Sequence, residues 1–363
     1  MRFDLEQEEL RRTVRTLLER AADEDVWRLL AEQVGAHSLA IPEEHGGAGF
    51  SVLETHVVLE ELGAALAAPG FLSTTLTAQA ILAAGSPEAD ASLLPGIAAG
   101  EIRATMAWSE AGSWDVSTIQ SSAAPGADGE WRLSGVKDHV LDGADADLFV
   151  VPARIADGGL GERLGLFAVA AAHADVTPVE TVDPKRPQAI VRFDRSPATM
   201  VNNDSAHILG RILDLACVAL SAEQVGAAQR AFDLTLAYAK QRIQFGRPIG
   251  SFQAVKHRLA DLYTVLESAR SVSYAAAFAA HAGPSGHDLR IAASRAKAYC
   301  SEALSTIAGE AIQLHGGIGI TWEHPIHFHF KRAHSTAQLF GSPAWHRRRY
   351  AEAIGLSTPR SAA

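Results

Sequence analysis

The sequence has few cysteines and no long uninterrupted apolar run. Only two cysteines occur in 363 residues, Cys217 and Cys300, and they lie far apart in segments with a helical pattern. A disulfide framework and a cysteine-ligated zinc site are therefore excluded, and this usage suits a reducing cytoplasm. The most apolar segment, residues 62–85, is broken by Pro69 and Gly70. It therefore does not predict a membrane span.

An excess of positive charge and a targeting segment are also missing. The net charge is -10 and the pI is near 5.8, which argues against nucleic acid or an anionic membrane as the main partner. The first twenty residues are charged throughout and have no apolar core of a signal peptide. These absences predict a cytoplasmic protein that binds neither nucleic acid nor membranes.

Three regions of different texture predict an α+β fold. In residues 1–104, apolar residues recur at helical spacing. In residues 105–205, short β-branched or aromatic runs alternate with Gly, Asp and Pro, which predicts an antiparallel β domain. Residues 206–363 return to Ala/Leu-rich helices and predict an antiparallel four-helix bundle. Its three long helices are expected at 211–242, 252–282 and 288–314.

Residues 312–330 combine glycines with histidines, and a metal site is one interpretation. His327 and His329 would share one face of a strand, with His324 and His334 nearby. Metal sites usually add carboxylates or a helical histidine pair at i and i+4. This segment instead alternates with Phe and Ile and runs into basic residues. We therefore expect these histidines to pack or form hydrogen bonds, and to bind no metal.

The glycines of the same stretch favour a ligand more than the histidines do. Gln313 lies at the predicted end of a long helix, and Gly316, Gly317 and Gly319 follow it. One glycine is enough to end a helix. The others leave bare backbone that a flat or phosphorylated ligand can approach, and Gln313 adds an amide donor and acceptor. A helix stop and a ligand site both remain open for this motif alone.

A second motif, AKQRIQFGRPIGSFQAVKHRLADLY, joins two of the predicted long helices. Arg242 lies near the end of the first helix, and a guanidinium suits phosphate oxygens. Phe245 offers an aromatic face. Gln253 lies near the N-terminus of the next helix, where anions are favoured. A plain helical hairpin with a solvent-facing arginine explains the same segment.

Taken in order, the motifs resemble the acyl-CoA dehydrogenase family. IPEEHGGAG, AWSEAGSWDVS, LSGVKDHVLDGADADLFVVPAR, RIQFGRPIGSFQ and QLHGGIG follow one another, so the resemblance covers essentially the whole chain. It implies an N-terminal helical domain, a central β-barrel-like domain and a C-terminal four-helix bundle, usually in a tetramer with FAD between subunits. It also implies desaturation of an acyl-CoA thioester, with an electron-transferring flavoprotein as the electron acceptor.

The resemblance also implies which residues contact FAD. The implied contacts to the adenosine and diphosphate half, of an FAD held chiefly by a neighbouring subunit, are Arg242, Phe245, Gln253, Gln313, Gly316 and Gly317. The flavin ring system is expected against the β domain, near Trp108, Ser109, His139 and Val140. Backbone and hydroxyl donors around the ring tune the electronics of such a cofactor.

The sequence departs from the family where the chemistry is done. Removal of the α proton requires a carboxylate base, but the two positions where the family carries its glutamate hold Phe340 and Ile243. Cys217 stands where many members have a CoA-contacting arginine, and Leu141 replaces a hydroxyl that serves the flavin ring. No catalytic residue is therefore assigned. The departures resemble the base-lacking subunit of heteromeric members known from actinobacterial steroid side-chain breakdown.

Three functions are compatible with this pattern. The chain could complete the FAD site of a paralogous subunit that carries the catalytic glutamate, in an α2β2 complex acting on a steroid side-chain or other bulky acyl-CoA. It could instead be a self-sufficient homotetrameric dehydrogenase with a relocated base. A flavin-free binding protein on the same scaffold is the third. The flavin content of the purified chain begins to separate them.

Overall fold

The computed structural model describes residues 3–21, 25–67, 70–127, 129–156, 163–283 and 286–356. The α-helices are α1 Leu5–Arg20, α2 Val26–Leu29, α3 Val52–Ala65, α4 Phe71–Ala84, α5 Pro87–Ala98, α6 Ala206–Gln241, α7 Gln253–His281, α8 Gly286–His315, α9 Ile326–Gln338 and α10 Pro343–Ala353. The strands are β1 Ala104–Met106, β2 Ser122–Pro125, β3 Trp131–Leu141, β4 Leu148–Ile155, β5 Leu164–Ala170, β6 Asp175–Val179, β7 Gln188–Asn202, β8 Ile243–Gln244 and β9 Arg247–Pro248.

These elements belong to two compact units. The mixed unit comprises residues 20–55 and 68–216, and the helical unit comprises residues 1–19, 56–67 and 217–363. The domain boundaries after residues 104 and 205 remain a prediction. No helix in the described part of the chain is long and apolar enough to cross a membrane.

The helical unit is built on α6 from residue 217 onward, α7, α8 and α9, whose small and aliphatic side chains share one core. The long helices predicted from periodicity are confirmed to within a few residues at each end. Alanine and glycine let the backbones come close. A Cβ atom on Gly226 would lie 1.8 Å from the carbonyl oxygen of Glu60, so α3 and α6 touch where only glycine fits.

A buried ion-pair cluster joins the N-terminal helix to this unit. The guanidinium of Arg11 lies 2.9 Å from Glu60 and 3.2 Å from Glu61, both on α3. Arg270 on α7 pairs with the other oxygen of Glu60 at 2.5 Å. Removing one partner of such a cluster leaves an uncompensated buried charge, so these contacts fix α1, α3 and α7 relative to one another.

The mixed unit contains a sheet that closes on itself. The closed path runs β4-β2-β3-β7-β5 and returns to β4, with β1 paired to β4 and β6 paired to β7. Residues of alternate strand positions, among them Phe149, Phe167 and Val191, fill the interior. Closure leaves few edges open for unwanted pairing. The predicted β-barrel-like domain is therefore confirmed.

Two predictions of local structure are corrected. The β domain is not purely antiparallel, because β1 and the start of β2 each pair with β4 in parallel. His327 and His329 do not lie on a strand; both belong to helix α9. The alternation of His with Phe over five residues imitates the two-residue period of a strand, but the segment continues as a helix through Gln338.

Candidate functional site

The segment between α6 and α7 is a tight hairpin that projects outward. Strands β8 and β9 pair across Phe245 and Gly246, which both have positive φ, as a two-residue type I′ connection requires. Phe245 is 91% exposed and Ile243 is 61% exposed. Apolar side chains this exposed at a hairpin tip are available to a ligand or to another chain.

Arg242 lies at the base of this hairpin. Its backbone N–H donates to the carbonyl of Tyr238 at 2.8 Å, and its own carbonyl accepts from Ile249 at 2.8 Å. Its guanidinium is exposed and has no hydrogen-bond or ion-pair partner elsewhere in the described chain. The backbone is thus fixed on both sides while the charged end remains available for an anion.

The glycine-rich turn follows the end of α8 as predicted. Gly316 has φ +63°, which ends the helix in the left-handed region. A Cβ atom at Gly316 or Gly317 would meet nothing within 4 Å, whereas one at Gly319 would lie 3.1 Å from His315. Close packing therefore explains the glycine at residue 319. At Gly316 and Gly317 the backbone is open to solvent and accessible to a ligand. Gln313 is exposed one turn earlier.

Tyr238 links the arginine and the glycine-rich turn, although sequence reasoning did not single it out. Its ring stacks on His315 at a centroid distance of 4.4 Å, and its hydroxyl donates to the carbonyl of His315 at 3.3 Å. Arg242 lies four residues further along the chain, just after the end of α6. An aromatic residue four positions before a ligand-type arginine was the signal available in the sequence.

Gln253 is the first residue of α7, as expected. Its side-chain nitrogen lies 2.8 Å from Nε2 of His257, one turn further along. Phe252 precedes it, and the guanidinium of Arg247 lies 4.2 Å from the centre of that ring. The amide is exposed, so it is accessible from solvent as well as bonded locally.

The predicted flavin-ring contacts belong to the mixed unit. The hydroxyl of Ser109 donates to Asp138, and Nδ1 of His139 lies 2.9 Å from Oε1 of Gln188. Val140 is buried in the sheet interior, so its side chain cannot face a ligand. Trp108 is buried too, and its indole N–H has no hydrogen-bond partner in the described chain. The roles of these residues remain predictions.

Neither predicted base position holds a carboxylate. Phe340 is buried, with φ +59°, in the short connection between α9 and α10. Nε2 of His346 donates to its carbonyl at 2.8 Å. Burial lowers the pKa of His346 to about 3, so the ring is neutral at physiological pH. The second position, Ile243, lies on the exposed hairpin.

The position of the CoA-contacting arginine is also closed. Cys217 is fully buried, and its sulfur lies 3.5 Å from Nε2 of His346. A thiol in this place offers neither charge nor reach to a phosphate. Phe340 and Cys217, two positions where the sequence departs from the family, therefore both contact the buried His346.

The four histidines of the predicted metal alternative have separate surroundings. Nδ1 of His329 lies 3.1 Å from the carbonyl of Ala227, and Nδ1 of His324 accepts from the N–H of Ile326. His327 and His334 pack against aromatic rings. Across the described residues, no group of three or more His, Cys, Asp or Glu side chains is arranged to hold a metal ion.

The architecture is that of an acyl-CoA dehydrogenase. It consists of N-terminal helices, a closed central sheet and a C-terminal helical bundle, with an arginine hairpin beside a glycine-rich turn. The sequence matches the N-terminal domain of that family over residues 4–101 and the C-terminal domain over residues 207–355. The chain belongs to the acyl-CoA dehydrogenase family and is an oxidoreductase.

Individual relatives match this chain over nearly its whole length. The chain is 40% identical to acyl-CoA dehydrogenase IpdE2 of Mycobacterium tuberculosis over 333 residues, which are 90% of this chain and 85% of that protein. A variant of the Tcur3481-Tcur3483 steroid ACAD superposes with a TM-score of 0.85 at 34% identity, covering 96% of this chain and 98% of that one. The ChsE4-ChsE5 complex from Mycobacterium tuberculosis superposes with a TM-score of 0.87 at 29% identity, covering 99% of each chain.

Proposed function

We propose that this chain is a subunit of an FAD-dependent acyl-CoA dehydrogenase and completes the FAD site of a catalytic paralogue in an α2β2 complex. The observation that carries the proposal is an asymmetry. The groups suited to another subunit's cofactor face outward, whereas a base is missing at both positions where the family carries one. Random mutation would remove cofactor-binding residues and catalytic residues alike. A division of labour between subunits instead keeps the residues that the partner's cofactor needs.

The outward-facing set fits FAD. The Arg242 guanidinium is exposed and unpaired in the described chain, which suits a charge-assisted bond to a diphosphate. The open backbone at Gly316 and Gly317 admits a ligand to the main chain, and Gln313 adds a polar amide. Bound FAD supplies the hydride acceptor of the reaction. In this arrangement Arg242, Gln313 and the turn bind and orient the cofactor that the partner holds.

The buried residues Phe340, His346 and Cys217 do not support catalysis by this chain alone. A phenyl ring at residue 340 accepts no proton, and His346 beneath it is neutral and bonded to the Phe340 carbonyl. Cys217 provides no cation for CoA. The proton α to the thioester is weakly acidic and needs a positioned carboxylate. The paralogous subunit supplies that glutamate in our proposal.

Relatives support both the partner and the substrate class. Two matching structures are named as pairs of chains, Tcur3481-Tcur3483 and ChsE4-ChsE5, and the first is named a steroid enzyme. By similarity to them, we propose a steroid side-chain or other bulky acyl-CoA as the substrate. An electron-transferring flavoprotein is the proposed acceptor, as the family resemblance implies.

Complementation tests the proposal. The chain is purified alone and after co-expression with a paralogous subunit that carries the catalytic glutamate, and both samples are assayed with FAD and a panel of short, long and steroid acyl-CoAs. We expect turnover only in the co-expressed complex, and highest with the bulky thioesters. Turnover by the chain alone would establish the self-sufficient enzyme instead. Absence of flavin from the stable complex would favour the binding protein.

A further inference from the structure

The proposed FAD contacts of this chain come from two segments about seventy residues apart, the Arg242 hairpin and the glycine-rich turn. Each is short and exposed, so each needs support to hold its contact in register with the other. The described residues provide that support at one place, where Tyr238 of α6 meets His315 at the end of α8.

Tyr238 acts on both segments. On one side, its carbonyl accepts a hydrogen bond from the backbone N–H of Arg242 at 2.8 Å, so the backbone of Tyr238 supports that of the arginine. On the other side, its hydroxyl donates to the carbonyl of His315 at 3.3 Å, at the point where α8 passes into the 3-10 turn Gly316–Ile320. Its ring covers the imidazole at 4.4 Å and 26°.

His315 is held from several directions. It is 3% exposed, and its Nδ1 lies 2.7 Å from the carbonyl of Ala311, which fixes the proton on Nδ1. Its Nε2 is buried without a hydrogen-bond partner in the described chain, and the His324 ring lies 4.4 Å from its own. A proton on Nε2 would therefore have no acceptor and would face a second imidazole.

This geometry joins the two segments into one unit. The direction in which Gly316 and Gly317 leave α8 depends on the backbone of His315, and that backbone is bonded to the residue one turn before Arg242. A shift of either segment breaks the stack and the hydrogen bond together. Preorganisation of this kind improves binding by cutting the cost of ordering the contacts.

We propose that Tyr238 and His315 are positioning residues that lock the glycine-rich turn to the Arg242 hairpin, so that both engage FAD as one preformed surface. This inference rests on the proposed function, because it assumes that the two segments bind FAD. Tyr238 and His315 act through the arginine and the turn and need not touch the cofactor themselves.

The test measures the Kd of FAD for the apo-form of the assembled complex, together with its Tm. We expect Tyr238→Leu to raise the Kd about tenfold, since it loses both the hydrogen bond and the stack, and Tyr238→Phe to raise it about threefold. Tyr299→Leu, which changes a partly exposed tyrosine elsewhere on α8, is the control and should leave the Kd unchanged.

A pH series separates positioning from general destabilisation. Desolvation lowers the pKa of His315, with the Ala311 carbonyl opposing and His324 reinforcing that direction. Protonation is thus disfavoured while the turn is locked, so FAD affinity should fall as the pH drops below about 6.5, the ordinary value for histidine. The ionisable groups facing the ring are Tyr238 from α6 and His324 from the segment before α9. His315→Gln should remove this acid dependence.

Two failures are distinguishable. If Arg242→Ala weakens FAD binding while Tyr238→Leu leaves the Kd within about twofold of the wild type, the positioning role is wrong and the proposed function stands. If neither changes the Kd, this chain does not contact FAD as proposed, and both fall. Should Tyr238→Leu not fold, Tyr238→Phe and the pH series of His315→Gln decide, since an unchanged Kd and an unchanged acid dependence overturn the inference.

Discussion

The ammonium nitrogen of Lys297 donates to the carbonyl of Ala337 at 3.0 Å, inside the helical unit and out of contact with water. It also reaches the carbonyl of Thr336 at 3.3 Å and the hydroxyl of Ser301 at 3.1 Å. A buried cation thus bonds the last turn of α9, where helix carbonyls lack partners. Phe340 lies two residues after the end of α9, so the connection at the lost base position begins from a fixed helix end.

Stability at alkaline pH tests this arrangement. Burial lowers the pKa of Lys297 from 10.5 to about 8, so the unfolded chain binds more protons between those values. The Lys297 contribution to the free energy of unfolding should therefore rise with pH across this window, by about 3 kcal/mol. Lys297→Met should lack that rise when urea unfolding is measured at pH 7.5 and at pH 10.

The exposed Lys240 of α6 provides the matched control, because Lys240→Met should keep the alkaline rise of the wild type. An identical dependence on pH in the wild type and Lys297→Met would contradict a buried, charged Lys297.

Periodicity in the sequence predicted much of this fold, and the errors have physical causes. The helix expected at 211–242 runs from Ala206 to Gln241, because sustained apolar spacing marks a long helix well and its ends poorly. The sequence pattern predicts a strand at His327 and His329 because five alternating residues have the two-residue period of a strand, and so short a run does not exclude a helix. The contact of Tyr238 with His315 joins residues seventy-seven apart in the chain. Local patterns carry no information on such pairings.

Glycines in the turn and within α8 should respond differently to an added methyl group. Gly317 has open space around it, so Gly317→Ala should fold normally and yet weaken FAD binding by about 1–3 kcal/mol, the cost of crowding a close contact. FAD titration and thermal unfolding of the assembled complex measure the two effects. Gly309→Ala, also in open space but within α8, is the control and should alter neither FAD affinity nor fold. Equal FAD affinity in both variants would argue against ligand approach at the turn.

The histidines of α9 and its preceding segment should hold no essential metal. Each of the four histidines, His324, His327, His329 and His334, bonds to backbone or packs against aromatic rings. Burial lowers the pKa of His324 and His327. No carboxylate in the described residues joins them in a metal-binding group. Elemental analysis of the purified complex should give far less than one zinc or iron per chain. Stoichiometric metal that survives chelator treatment would overturn this expectation.

Arg242 should contribute directly to FAD affinity. Arg242→Ala removes a charge-assisted hydrogen bond to the diphosphate, which corresponds to a loss of about 1.5–3 kcal/mol. Equilibrium titration of the apo-complex with FAD measures it. Arg258→Ala is the matched control, since Arg258 is an exposed arginine on α7 that pairs with Glu310. The control should bind FAD as the wild type does, and an Arg242 variant that also did so would remove this residue from the cofactor site.

The ratio of FAD to protein, measured by flavin absorbance and native mass spectrometry, tests the division of labour between subunits most directly. With a paralogous subunit that carries the catalytic glutamate, we predict an α2β2 assembly holding one FAD for each pair of chains. Alone, the chain should retain little flavin, because Arg242, Gln313 and the turn serve a cofactor that the partner holds. A yellow homotetramer of this chain alone, with one FAD per subunit and turnover of an acyl-CoA, would contradict the account.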